Sequence, residues 1–119
     1  MKHNLIILLI FTLLACNDNS EDPGICNADN PLGMEWMQDW VKDMQYCTCT
    51  ISIFQAEYES ETVFWQLMTD PLCQTVFNEI TVFNCSGSEF MVIKSYDALF
   101  EFQEKVSGMK IIYQCKKPE

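Results

Sequence analysis

The chain has no arginine, and its single histidine, His3, lies within the first few residues. Ser–His and Cys–His nucleophile pairs therefore have no base downstream of His3. His-ligated catalytic zinc has no ligand there, and a bidentate guanidinium clamp for phosphate or carboxylate is missing. Seven lysines stand against seventeen acids, for a net charge of −10. Nucleic-acid binding needs a positive footprint, so nucleic acid is excluded as a partner, and anionic lipid head groups are disfavoured. No Cys-x2-Cys pair occurs, so no metal is expected, and nothing marks a cofactor site. Internal repeats and low-complexity segments are absent. The one long apolar run, Leu5 to Leu14, is broken only by Thr12. It is too short to cross a bilayer, which takes about 20 apolar residues.

That run gives the chain its orientation. Lys2 and His3 form a short polar start, the apolar run follows, and Leu13-Leu14-Ala15-Cys16 ends it. The order is that of a secretory signal peptide closing on a lipoprotein cleavage site, with Cys16 as the lipidation residue. Residues 1–15 read as the signal peptide. Residues 16–25 include the acidic run Asn17-Asp18-Asn19-Ser20-Glu21-Asp22 before Pro23-Gly24 and read as a tether. Residues 26–119 read as one globular domain. A diacylglycerol on the thiol of Cys16 and an acyl chain on its amine would anchor the protein to a membrane without spanning it. The predicted location is the outer membrane, facing the periplasm or the cell surface.

Six further cysteines lie in the domain: Cys26, Cys47, Cys49, Cys73, Cys85 and Cys115. An even number in a short exported domain reads as a disulfide framework. Three bridges are expected, with fifteen connectivities open. A core of this size is modest and gains from cross-links.

Periodicity sets the elements. Asn30-Pro31 predicts a helix start, with Asn as cap and Pro at the first position. Trp36, Met37, Trp40, Val41 and Met44 form its apolar stripe. Cys47 to Tyr58 alternates with period two, as does Thr62 to Met68, and Glu59-Ser60-Glu61 between them predicts a hairpin turn. Val76 to Cys85 predicts a third strand, clearest at Ile80 and Val82. Ser86-Gly87-Ser88 predicts a turn, and Phe90 to Ile93 a fourth strand. Ser95 and Asp97 open a second helix with the stripe Leu99, Phe102, Val106 and Met109, and Gly108 reads as its stop. Lys110 to Cys115 predicts a last strand. The expected fold is α+β: a two-layer domain with an antiparallel sheet of four to five strands, two helices on one face, stapled by disulfides. In that arrangement Ile51, Ile53, Val63, Trp65 and Leu67 share the covered face with both stripes.

Asn30-Pro31-Leu32, Trp36, Cys49-Thr-Ile-Ser-Ile-Phe-Gln55, Tyr58, Val63-Phe64, Cys73 and Val82-Phe83-Asn84-Cys85 together resemble a group of small bacterial lipoproteins. The match spans residues 30–87. Members of that group carry a further Cys and a Gly-rich stretch where Phe90 to Ser95 stand here. The resemblance implies a lipid-anchored envelope protein and implies no activity.

Three constellations bear on chemistry. Cys47-Thr48-Cys49 is a close dithiol that could exchange disulfides, but it lacks the Cys-x-x-Cys spacing and helix N-terminus that lower a thiolate pKa. Two structural half-cystines are the better reading. Glu57 with Glu59 or Glu61 offers paired carboxylates for glycoside chemistry, yet on a hairpin tip they read as a solvated turn. Asn27-Ala-Asp29-Asn30 lacks the Gly and distant Glu of a calcium loop. No residue is expected to be catalytic. The expected function is a membrane-anchored binding or structural module, with an unidentified protein or small molecule as partner. The alternatives are an inhibitor of a secreted or periplasmic enzyme and a thiol–disulfide exchange protein using Cys47 and Cys49.

Overall fold

The computed structural model describes residues 26–73 and 77–116. The expected signal peptide, the whole of the expected tether with Cys16, and Val76 of the expected third strand lie outside the described residues. Element order is α1 (Glu35–Asp43), β1 (Ile51–Tyr58), β2 (Glu61–Met68), β3 (Ile80–Asn84), β4 (Glu89–Ile93), α2 (Tyr96–Lys105) and β5 (Ser107–Cys115). The strands form one antiparallel sheet in the order β4-β3-β2-β1-β5. The first four strands make a meander. The α2 segment then carries the chain from the β4 edge to the opposite edge, where β5 pairs with β1. This is the α+β domain expected, with five strands, two helices and three disulfides.

The helices do not share a face. One core gathers Met34, Met37 and Met44 with Ile53 and Phe64, and Trp36, Trp40, Val41 and Ile51 pack on it. The other gathers Leu99 and Phe102 of α2 with Ala56, Tyr58, Val63, Trp65, Ile80, Val82 and Ile93. Successive strand side chains point to opposite faces, so Phe64 meets α1 while its neighbours Val63 and Trp65 meet α2. The expected two-layer stack is therefore corrected to a sheet with one helix on each side. The physical reason is that β1 and β2 are apolar on both faces. Ile53 and Phe64 cannot be buried by a helix that covers Trp65, and each face needs its own cover. Ile51 and Ile53 do pack with the α1 stripe as expected, whereas Val63, Trp65 and Leu67 belong with α2.

Local chemistry explains the remaining departures. Asn30 heads a short 3-10 turn, Pro31–Gly33, and α1 begins only at Glu35. Asn27 closes the loop before it, its side-chain Oδ1 and backbone carbonyl both accepting from the Asn30 N–H at 3.1 Å. β1 begins at Ile51, four residues after Cys47. In α2 the Ser95 hydroxyl accepts from the Ala98 N–H at 3.1 Å, as the sequence predicts. Gly108 does not stop that helix. It lies inside β5 at φ 65°, where Gly108 and Met109 together stand opposite Ala56. That is a β-bulge with glycine in the left-handed conformation.

Candidate functional site

The β2–β3 ladder is short: its register joins only Val63 to Asn84 and Phe64 to Phe83. Past Phe64, β2 continues to Met68 on its pairing with β1, while β3 runs from Val82 back to Ile80 on its pairing with β4. The two strands separate there, and a cleft of about 450 Å³ opens between them. A volume of this order suits a small ligand.

Each wall is set by its element. Trp40 comes from the last turns of α1, Gln66, Leu67 and Met68 from the end of β2, and Ile80, Thr81 and Phe83 from β3. Tyr96 and Leu99 come from the first turn of α2, and Phe77, Asn78 and Glu79 from the segment entering β3. The cleft therefore joins the two cores, because Trp40 and Ile51 pack with the α1 core while Leu67, Phe77, Ile80 and Leu99 pack with the α2 core.

Two edge-to-face ring pairs line it. Trp40 meets Phe83 at 5.0 Å between centroids and 69° between planes, and Phe77 meets Tyr96 at 4.7 Å and 69°. The Trp40 indole N–H donates to Gln66 Oε1 at 2.9 Å, fixing both side chains at the rim. Trp36 stacks beside Trp40 at 5.9 Å and donates its own N–H to the Cys85 carbonyl at 3.1 Å. Both tryptophans pack against the α1 core, as the stripe predicts. Both are half-buried, and Trp40 also faces the cleft.

At one end the cleft reaches Cys73. Asp70 shapes the turn there: Oδ1 accepts from the Leu72 N–H at 3.0 Å, and the Asp70 carbonyl accepts from Cys73 N–H at 3.0 Å. Cys49, Asp70 and Cys73 bring three potential metal-ligand atoms within 4.8 Å. Cys49 and Cys73 are bonded to each other, however, and a half-cystine sulfur is not the thiolate that ligates metals. Behind this end, Gln114 Nε2 donates to Ser52 Oγ at 2.9 Å, and Ser52 Oγ lies 3.0 Å from Thr69 Oγ1.

The six domain cysteines pair as Cys26–Cys85, Cys47–Cys115 and Cys49–Cys73. Cys47 and Cys49 thus go to different partners, as two structural half-cystines, and do not form one exchangeable dithiol. Glu57, Glu59 and Glu61 lie on the exposed β1–β2 hairpin, with Glu57 accepting from the Thr62 hydroxyl at 2.9 Å. Asn27 to Asn30 form the turn already described. Sequence reasoning missed Gln66, Phe77, Phe83 and Tyr96 as a group. The off-beat aromatics Phe64 and Phe83 were visible, but the register that separates β2 from β3 was not. Compared with protein-family models, with curated proteins and with solved structures, the chain matches none of them.

Proposed function

We propose that this protein is an exported, lipid-anchored binding module of a bacterial envelope, tethered through Cys16 and holding its ligand in the β2–β3 cleft. The group of small lipoproteins that the sequence resembles belongs to the same proposal. The observation that carries it is the division of the cysteines. Six of the seven close three bridges within the domain, and disulfides persist in oxidising compartments outside the cytosol. Cys16, at the end of Leu13-Leu14-Ala15, is the seventh. The cleft supports the binding half of the reading, because a mostly apolar hollow with a few polar groups is the usual form of a ligand site. An enzymatic reading has less support: downstream of His3 no imidazole is present to act as base.

Two measurements test it together. Cells expressing the full chain are labelled with a fatty acid, and membranes are compared with those of Cys16→Ser. The label is expected on the wild type alone, and label retained by the serine variant overturns the anchor. Nile red, a neutral apolar dye, is then added to the purified protein. Its emission is expected to rise, and Asn78→Trp, which fills the cleft from an exposed position, should abolish the rise. Equal emission with both proteins places dye binding elsewhere.

A further inference from the structure

We propose that the β2–β3 cleft selects a compact organic cation with an apolar body, such as a quaternary ammonium group, over neutral and anionic molecules of the same shape. This rests on the binding reading above and names its ligand class.

The aromatic content of the walls is the first argument. Trp40, Phe77, Phe83 and Tyr96 reach the cleft from α1, from the segment before β3, from β3 and from α2. Both ring pairs are edge-to-face. In such a pair one ring offers its edge and keeps its own negative faces clear of that neighbour. Ring faces of this kind attract a cation lying within about 6 Å, most strongly where water is excluded.

Polarity at the rim points the same way. The Trp40 N–H is already given to Gln66 Oε1, so the indole has no free donor to offer an anion or a carbonyl. Charge decides the sign. Among the described residues lining the cleft, Glu79 is the one that carries a formal charge. No lysine is among those described residues, and the whole chain carries −10. An anion entering this space would leave its hydration shell and meet a carboxylate with no cationic partner, which is the costly way to bury a charge. A neutral apolar molecule would gain the burial but not the attraction of Glu79 and the ring faces. Only a soft, weakly hydrated cation gains from all three. A bare ammonium or metal ion would lose too much hydration against apolar walls.

Three probes of one shape isolate the charge: choline, its neutral isostere 3,3-dimethylbutan-1-ol, and the anion 3,3-dimethylbutanoate. Each is titrated into the oxidised, purified protein while amide, Gln66 side-chain and Trp40 indole NMR signals are followed. Choline is expected to shift the cleft signals and to bind at least about tenfold more tightly than the alcohol, with no saturable shift from the anion. Glu79 is exposed, so Glu79→Gln should keep the wild-type melting point and weaken choline about fivefold. Glu59→Gln, on the hairpin at the far end of β2, should leave it unchanged. If alcohol or anion binds as tightly as choline, the cation inference fails while the binding-module reading stands. If both glutamine variants weaken choline equally, the attraction is a general one to an acidic protein, and the inference fails in the same way. If no probe moves the cleft signals, both readings fail.

Discussion

Single residues in this domain are held by close approach and unusual backbone. Gly87 sits at φ 87° in the β3–β4 turn, and an added Cβ would lie 2.8 Å from the Trp36 ring. The Asn84 side chain organises that turn by accepting from the Ser86 N–H at 2.9 Å, the Ser86 hydroxyl at 2.7 Å and the Ser88 N–H at 3.0 Å. The Asn-Cys-Ser-Gly sequence is thus the socket into which Trp36 docks, and Cys85 fixes it to Cys26. Gly87→Ala is expected to destabilise by about 2–4 kcal/mol, since left-handed strain and a forced shift of Trp36 add together. Chemical denaturation followed by tryptophan fluorescence measures this, and an unchanged midpoint would show that Trp36 does not rest on the turn. Glu59 and Ser60 give the opposite case. Both have positive φ, 49° and 69°, in the two-residue turn that joins Tyr58 to Glu61. That pattern belongs to a type I′ turn, which favours Asn-Gly. Ser60→Gly should stabilise by about 1 kcal/mol, which for a domain of this size is roughly 4–8 °C in melting temperature. A fall in melting temperature would contradict it.

At the scale of elements, burial ranks the three tryptophans. Trp65, fully buried on β2, stacks on Phe54 at 5.5 Å and meets Phe102 of α2 at 4.9 Å. Trp65→Ala should cost about 3–5 kcal/mol, whereas half-buried Trp40→Ala should cost less and remove a wall of the cleft. Thermal unfolding of the two variants checks the order. A larger loss at Trp40 would mean that α1 rather than α2 covers the principal core. Much of this was legible from period alone. The hairpin, the Ser95 cap, the α1 stripe, Leu99 and Phe102 of the α2 stripe and the strand identities follow from alternation and turn chemistry, whereas Val106 caps α2 and Met109 lies exposed in β5. The side of the sheet that each helix covers does not, because that depends on β1 and β2 being central. Phe54 and Phe64 signalled it by making both faces of those strands apolar, which a strand open to water on one side does not need. Register between β2 and β3 was likewise hidden, since no tight turn joins these two strands and their pairing depends on tertiary packing. The cleft exists because that register stops after two pairs, and so it could not be read beforehand.

Across the whole molecule the bridges tie together what the sheet leaves loose. Cys26–Cys85 fastens the start of the domain to the β3–β4 turn, Cys47–Cys115 fastens the exit of α1 to the end of the edge strand β5, and Cys49–Cys73 fastens the approach to β1 to the loop beside the cleft. The spans are 59, 68 and 24 residues. On the chain-entropy account, the shortest loop contributes about 3.5 kcal/mol and the two longer ones about 4 kcal/mol each. Native domains are stable by only about 5–15 kcal/mol, so reduction of all three should unfold this one at moderate temperature. Circular dichroism with and without a strong reductant follows that loss. The proposed lipid anchor and the three bridges meet their most direct test together in non-reducing peptide mapping by mass spectrometry of the protein taken from the cells that make it. The expected result is three cross-linked peptide pairs, joining Cys26 to Cys85, Cys47 to Cys115 and Cys49 to Cys73, with an amino-terminal peptide that begins at Cys16 and carries the mass of its acyl chains. Free thiols among those six cysteines, or an unmodified Cys16 still preceded by residues 1–15, would contradict it.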